Sequence, residues 1–149
     1  MSTSIRQHAA AFRRALEAVA PGSCASALRQ FPLGSCGDVT DLLGTYLGEK
    51  GAGEFDYILG EKRRPEKRGG YLSHAWLERD GLIVDITADQ FPEVSEPVIV
   101  TSASPWHRSF STRRLRPADF RTGGSPEMHL LKEAYARITS LTDAGQLAG

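Results

Sequence analysis

Three residues of this chain have types and settings that could do chemistry together: a cysteine between glycines, a histidine in an apolar strand, and an acid on the strand that follows. Cys36 lies in Gly34-Ser35-Cys36-Gly37-Asp38, where a helical pattern begins. At a helix start, free backbone N–H groups and the positive end of the dipole favour a thiolate. The flanking glycines leave room for a substrate carbonyl close to the backbone. Taken alone, such a cysteine also reads as a buried, inert side chain, and Cys24, with no comparable setting, reads as structural. His74 stands in Ser73-His74-Ala75-Trp76-Leu77-Glu78, and Asp85 in Leu82-Ile83-Val84-Asp85-Ile86-Thr87. If these are the facing strands of a hairpin, the two side chains come within a few ångströms of each other. His74 could then accept the Cys36 proton while Asp85 holds its ring. In isolation the pair reads instead as a satisfied strand histidine and a turn acid. A one-residue slip of register would turn His74 away from the cleft.

The elements that must position these residues follow from periodicity. Ile5, Ala9, Phe12, Leu16 and Val19 recur at three- and four-residue steps, which predicts a helix over Ser4–Ala20 that Pro21-Gly22 ends. Residues 21–35, with Pro21, Gly22, Pro32 and Gly34, read as loop. Val39, Leu42, Leu43, Tyr46 and Leu47 predict a second helix from about Ser35 to Leu47, with Asp38 in its first turn and Gly48 and Gly51 beyond its end. Phe55–Leu59, Tyr71–Glu78, Leu82–Thr87 and Pro97–Thr101 read as strands, and Arg79-Asp80-Gly81 as a hairpin turn. Glu61–Gly70, charged and closed by two glycines, reads as a solvated loop. His107–Leu115 is a further strand candidate. Pro126–Leu141 is a closing helix, and Asp143–Gly149 is a frayed end. The order of helices, antiparallel strands and a last helix is an α+β layout in one domain over residues 1–149.

The ordered set Cys36, His74, Asp85 carries a family resemblance. The segment HAWLERDGLIVDIT resembles the transglutaminase-like pattern of His, aromatic, acidic residue, turn, apolar run and Asp before Ile/Pro-Thr. The segment QFPLGSCGD resembles the nucleophile region of papain-like enzymes, with Gln30 six residues before Cys36. The resemblance covers roughly residues 30–101. It implies a papain/transglutaminase-like fold, with the nucleophile helix packed on an antiparallel sheet. It also implies a thiolate–imidazolium pair and a thioester intermediate. Carried over residue by residue, Cys36 is nucleophile, His74 general base and then acid, and Asp85 the orienting acid. The Cys36 N–H and the Gln30 side chain would form the oxyanion hole. The chain departs from the family in its small size and in Gly37-Asp38, where papain-like proteases usually carry an aromatic residue after the cysteine. Substrate specificity is not inherited through those changes.

The remaining polar residues admit two readings each. Gln90 is an alternative oxyanion donor or substrate contact, or a satisfied turn residue after the strand. Asp89 is an alternative third member of the triad. Trp76 shares the strand face of His74, as cleft wall or as core. His107, in the Trp106-His107 loop, could reach the cleft or lie on the surface. Lys62, Arg63, Arg64, Lys67 and Arg68 form a basic loop that would favour an acidic substrate if it overhung the cleft. Arg113, Arg114 and Arg116 carry the same ambiguity.

Composition excludes some classes. Lys+Arg and Asp+Glu are equal at 18 each, so net charge gives no case for nucleic acid as partner. No apolar run approaches membrane-spanning length. The charged N-terminal segment is unlike a cleaved secretory signal, so a cytoplasmic location, or export without a signal, is expected. Cys36, His74, Asp85 and His107 show no metal-ligand spacing, and no phosphate-binding glycine motif is present, so no metal or cofactor is expected. The sequence thus predicts cysteine-dependent acyl chemistry on a protein or peptide amide: a peptidase, a glutamine deamidase or an acyl transferase. The competing readings are a binding module that keeps the fold without catalysis, and a thiol redox sensor using Cys24 as resolving thiol.

Overall fold

A computed structural model describes residues 2–64 and 70–148. It is an α+β arrangement of four α-helices and a five-stranded antiparallel sheet, in the chain order α1 (Ser2–Val19), α2 (Cys36–Glu49), β1 (Asp56–Arg63), β2 (Tyr71–Arg79), β3 (Leu82–Asp85), β4 (Ile99–Thr101), α3 (Pro105–Arg108), β5 (Ser111–Pro117) and α4 (Met128–Ala148). The strands lie in the order β4-β3-β2-β1-β5.

The apolar stripe of α1 (Ile5, Ala9, Phe12, Leu16, Val19) packs with Val39, Leu42, Leu43 and Leu47 of α2 and Leu131, Ala134 and Ile138 of α4. These helices cover one face of the sheet, where Leu77, Val84 and Val100 meet them. Each such fully buried aliphatic or aromatic side chain contributes roughly 1.5–3 kcal/mol. A smaller cluster of Ile58, Trp76, Ile83 and Phe110, with Leu72 and Trp106 against it, covers the other face.

The hairpin that carries His74 and Asp85 closes as its Asp-Gly signal predicts. Arg79 pairs with Leu82, and the two residues between them, Asp80 (φ 50°) and Gly81 (φ 83°), both adopt the left-handed conformation of a type I′ turn. Their pairing continues through Glu78–Ile83 and Leu77–Val84, so the register is set by a two-residue turn with no slack. Next to it, Gly60 faces His74 on β1. A Cβ at Gly60 would come within 2.5 Å of the Trp76 indole, so only glycine lets that ring lie flat across the strand.

Several boundaries differ from the sequence expectations. β1 runs on to Arg63, so Glu61–Arg63 belong to the sheet and not to a loop; residues 65–69, including Lys67 and Arg68, lie outside the described residues. β3 stops at Asp85, two residues early, because Asp85 turns its carboxylate onto the Thr87 N–H. The expected strand over His107–Leu115 is split: His107 belongs to the short helix α3, and β5 begins at Ser111. The expected frayed end is helical, since α4 continues to Ala148. The expected loop over residues 21–35 contains two single-turn 3₁₀ segments, Ala20–Gly22 and Ser26–Leu28.

Candidate functional site

Cys36 is the first residue of α2 and is partly exposed. The first ladder bond of that helix runs from Val39 N–H to Ser35 C=O, and Ser35 makes no side-chain cap. The N–H groups of Cys36, Gly37 and Asp38 therefore precede the ladder, at the positive end of a 14-residue helix.

On the sheet, His74 and Asp85 meet as the hairpin register requires. His74 Nε2 donates to Asp85 Oδ2 at 2.7 Å, with 1% and 3% of the two residues exposed. The other carboxylate oxygen, Oδ1, accepts from the Thr87 backbone N–H at 2.9 Å and from the Thr87 hydroxyl at 3.4 Å. A third residue completes the cluster: His107, fully buried, donates from Nε2 to the same Asp85 Oδ2 at 2.7 Å. Its Nδ1 is hydrogen-bonded to the Ser104 hydroxyl at 2.6 Å. Aromatic rings enclose the group, with Phe91 edge-on to His74 at 5.1 Å, Trp106 at 5.6 Å and Trp76 at 5.7 Å between centroids.

This setting decides the protonation of the cluster. Burial alone would lower the His74 pKa, but the Asp85 carboxylate, through its charge and hydrogen bond, and then the Cys36 thiol outweigh it and raise the value to about 9. Burial alone would raise that of Asp85, but the charge of His74 and the hydrogen bonds from both histidines hold it well below the usual carboxylate range. At neutral pH the site therefore holds an imidazolium and a carboxylate. The Cys36 thiol interacts with the His74 ring. It does not complete a bond to Nδ1, which is buried and has no hydrogen-bond partner among the described residues.

His74, Asp85 and His107 are also the one potential metal-ligating group among the described residues. Both imidazole nitrogens lie 2.7 Å from a single carboxylate oxygen. Two ligand atoms on one tetrahedral zinc ion, at roughly 2.0–2.1 Å from it, stand about 3.3 Å apart. The observed separations are those of N–H donors sharing one acceptor.

The other residues singled out in the sequence fall outside this cluster or at its rim. Trp76 shares the face of His74 but is 1% exposed, and its indole N–H donates to Glu78 Oε1, so it is a core wall. Gln30 is exposed, in the turn before α2. Gln90 is tied at both ends of its amide: Nε2 donates to Thr87 C=O at 3.0 Å, and Oε1 accepts from Gly34 N–H at 3.4 Å. Asp89 pairs with Arg13 at 2.8 Å, and the acid on His74 is Asp85. Lys62 donates to the Ser109 hydroxyl, and Arg64 reaches Glu93 at 3.4 Å. Arg116 grips Asp41 with both its terminal nitrogens. Cys24 is exposed rather than structural, and both cysteines are free thiols.

Of the two readings open for His107, the surface one is excluded: the residue is buried, against Asp85. Ser104-Pro105 is the signal that could have placed it. Serine at the N-cap and proline at the first helical position start a helix, and the Ser104 hydroxyl indeed accepts from the His107 N–H. That turn swings the His107 ring inward onto Asp85. No protein-family model matches the chain, and neither a curated protein nor a solved structure matches it.

Proposed function

We propose that this protein performs cysteine-dependent acyl chemistry on an amide, on a papain/transglutaminase-like plan. Cys36 acts as nucleophile, His74 as base and then acid, and Asp85 as orienting acid. The observation that carries the reading is the His74 ring. One nitrogen is held by a buried carboxylate at 2.7 Å, the other has no hydrogen-bond partner among the described residues, and the neighbour that helps keep the ring protonated is the cysteine at the start of α2. An imidazolium beside a thiol is the partner a thiolate needs. The thiolate attacks the carbonyl carbon, His74 passes its proton to the departing amine, and a Cys36 thioester forms. Water as acceptor makes the activity a peptidase or a glutamine deamidase; an amine makes it an acyl transferase. A protein or peptide is the substrate class proposed.

The unfilled Nδ1 also fits a module that keeps this architecture without turnover, and one experiment separates the two. Iodoacetamide alkylation of Cys36 is followed against pH in the wild type and in His74→Ala. Fast alkylation at pH 6 that the substitution abolishes supports the nucleophile. Alkylation only above about pH 8, the behaviour of an ordinary thiol, and unchanged in His74→Ala, sinks it in favour of the binding module.

A further inference from the structure

Acyl transfer at Cys36 needs donors for the oxygen that becomes negative in the tetrahedral intermediate. The Cys36 N–H is one, standing ahead of the α2 ladder. Of the two glutamines that could supply the second, Gln30 is exposed, and the Gln90 amide is held by Thr87 and Gly34. The structure places another donor on the opposite side of the same helix start. Tyr57, on β1, points at the first turn of α2, and its hydroxyl lies 3.0 Å from where a Cβ on Gly37 would sit. Gly37 is what keeps the gap between phenol and helix open. No described residue accepts a hydrogen bond from that hydroxyl.

The ring is held in place from β5. The β1–β5 register shifts between Tyr57 and Ile58, so Tyr57 faces Arg116 while Ile58 faces Arg114, and Leu115 is the extra residue. The Arg116 guanidinium then lies 4.3 Å over the Tyr57 ring while gripping Asp41 at 2.7 and 3.1 Å. Burial, then the nearby Cys36 and Asp41, raise the phenol to about 12, so it keeps its proton at any pH at which the site could work.

We propose that the Tyr57 hydroxyl is the second oxyanion donor, acting with the Cys36 N–H. The inference rests on the function proposed above. In the step it serves, the Cys36 sulfur forms a bond to the carbonyl carbon and the π pair moves onto oxygen, where Tyr57 O–H and Cys36 N–H donate to it. The pair then returns as the leaving group departs. With p-nitrophenyl acetate the leaving group is p-nitrophenolate and the product is an acetyl thioester, so no proton transfer is needed.

The test compares two reactions of Cys36 in a Cys24→Ser background. Acylation by p-nitrophenyl acetate passes through an oxyanion; alkylation by iodoacetamide displaces iodide and does not. Tyr57→Phe retains the ring and its contact with Arg116. The expected result is acylation slowed at least tenfold with alkylation at pH 6 within twofold of wild type. Gly37→Ala, which drives a methyl against the Tyr57 hydroxyl, should show the same selective loss to a smaller degree. Acylation unchanged in Tyr57→Phe, or both reactions slowed equally, overturns the role of Tyr57 and leaves the proposed function standing. A wild type whose alkylation and acylation both run at the rate of an unassisted thiol overturns the proposed function, and this inference with it.

Discussion

On one face of the sheet, Phe12, Leu16, Leu42 and Leu47 bury against Leu77, Val84 and Val100. On the other, Trp76, Phe91, Trp106 and Phe110 surround two histidines that share a carboxylate. The first face is held by apolar area, which is non-directional and repeats along each helix. The second is held by pairings whose worth depends on angle, protonation and the absence of water. The two should fail under different conditions, and each can be perturbed while the other is watched.

The largest effect belongs to the apolar face. Phe12→Ala should cost about 3–5 kcal/mol by denaturant unfolding and leave the imidazole NMR titration of His74 in place. A loss under about 1 kcal/mol would mean that Phe12, fully buried here, is not packed as described.

Next comes the pH dependence of the other face. The folded His74 pKa, about 9, lies above its ordinary 6.5, so its contribution is complete below pH 6.5 and disappears as pH rises through 9. The loss should be on the order of 3 kcal/mol, read from unfolding midpoints between pH 6.5 and 9.5. Asp85 works in the opposite direction: its pKa is depressed, so its contribution is present above about pH 4 and lost on acidification. In Asp85→Asn, burial opposes only the smaller pull of Cys36 on His74, and most of the alkaline loss should vanish. If it persists, the carboxylate is not what charges the ring.

A smaller cost is expected for His107→Phe. The ring shape remains, but one of the donors to Asp85 Oδ2 is gone. Loss of a hydrogen bond to a charged group in a buried place should cost roughly 1–3 kcal/mol, with the His74 titration shifted further up because Asp85 then has one partner fewer to share. An unshifted His74 would show that the two histidines do not compete for the acid. At the bottom of the scale, Lys50→Ala removes an exposed ion pair to Asp143 (3.4 Å) and should move stability by under about 1 kcal/mol.

The two faces also differ in how far the sequence discloses them. α1 and α2 are legible because their buried residues recur at helical spacing, and the β2–β3 hairpin because Asp80-Gly81 demands a tight turn. The alternation of β2 places His74 and Trp76 on one side of the strand, and the turn brings Asp85 to His74. What covers that side is not periodic. It comes from residues 91–110, short segments joined by turns, whose side chains reach His74 from three directions. His107 is the clearest instance, a polar residue in a four-residue helix, buried because a carboxylate awaits it. The oxyanion donor proposed above is hidden in the sequence for a related reason. Counting six residues back from Cys36 finds Gln30, in an exposed turn, while Tyr57 comes from β1, an element with no spacing signal to Cys36.

The parts of the site stand on separate layers: Cys36 at the tip of a helix, and His74 and Asp85 on the sheet that α2 packs against. The reactivity proposed for the thiol is thus a gauge of docking, since it exists only while helix and sheet are seated together. In a swollen compact state that retains its helices and strands but not their packing, far-ultraviolet circular dichroism would look native while Cys36 behaved as a thiol in water. The thiol would report the loosening of the layers before any spectrum of secondary structure did.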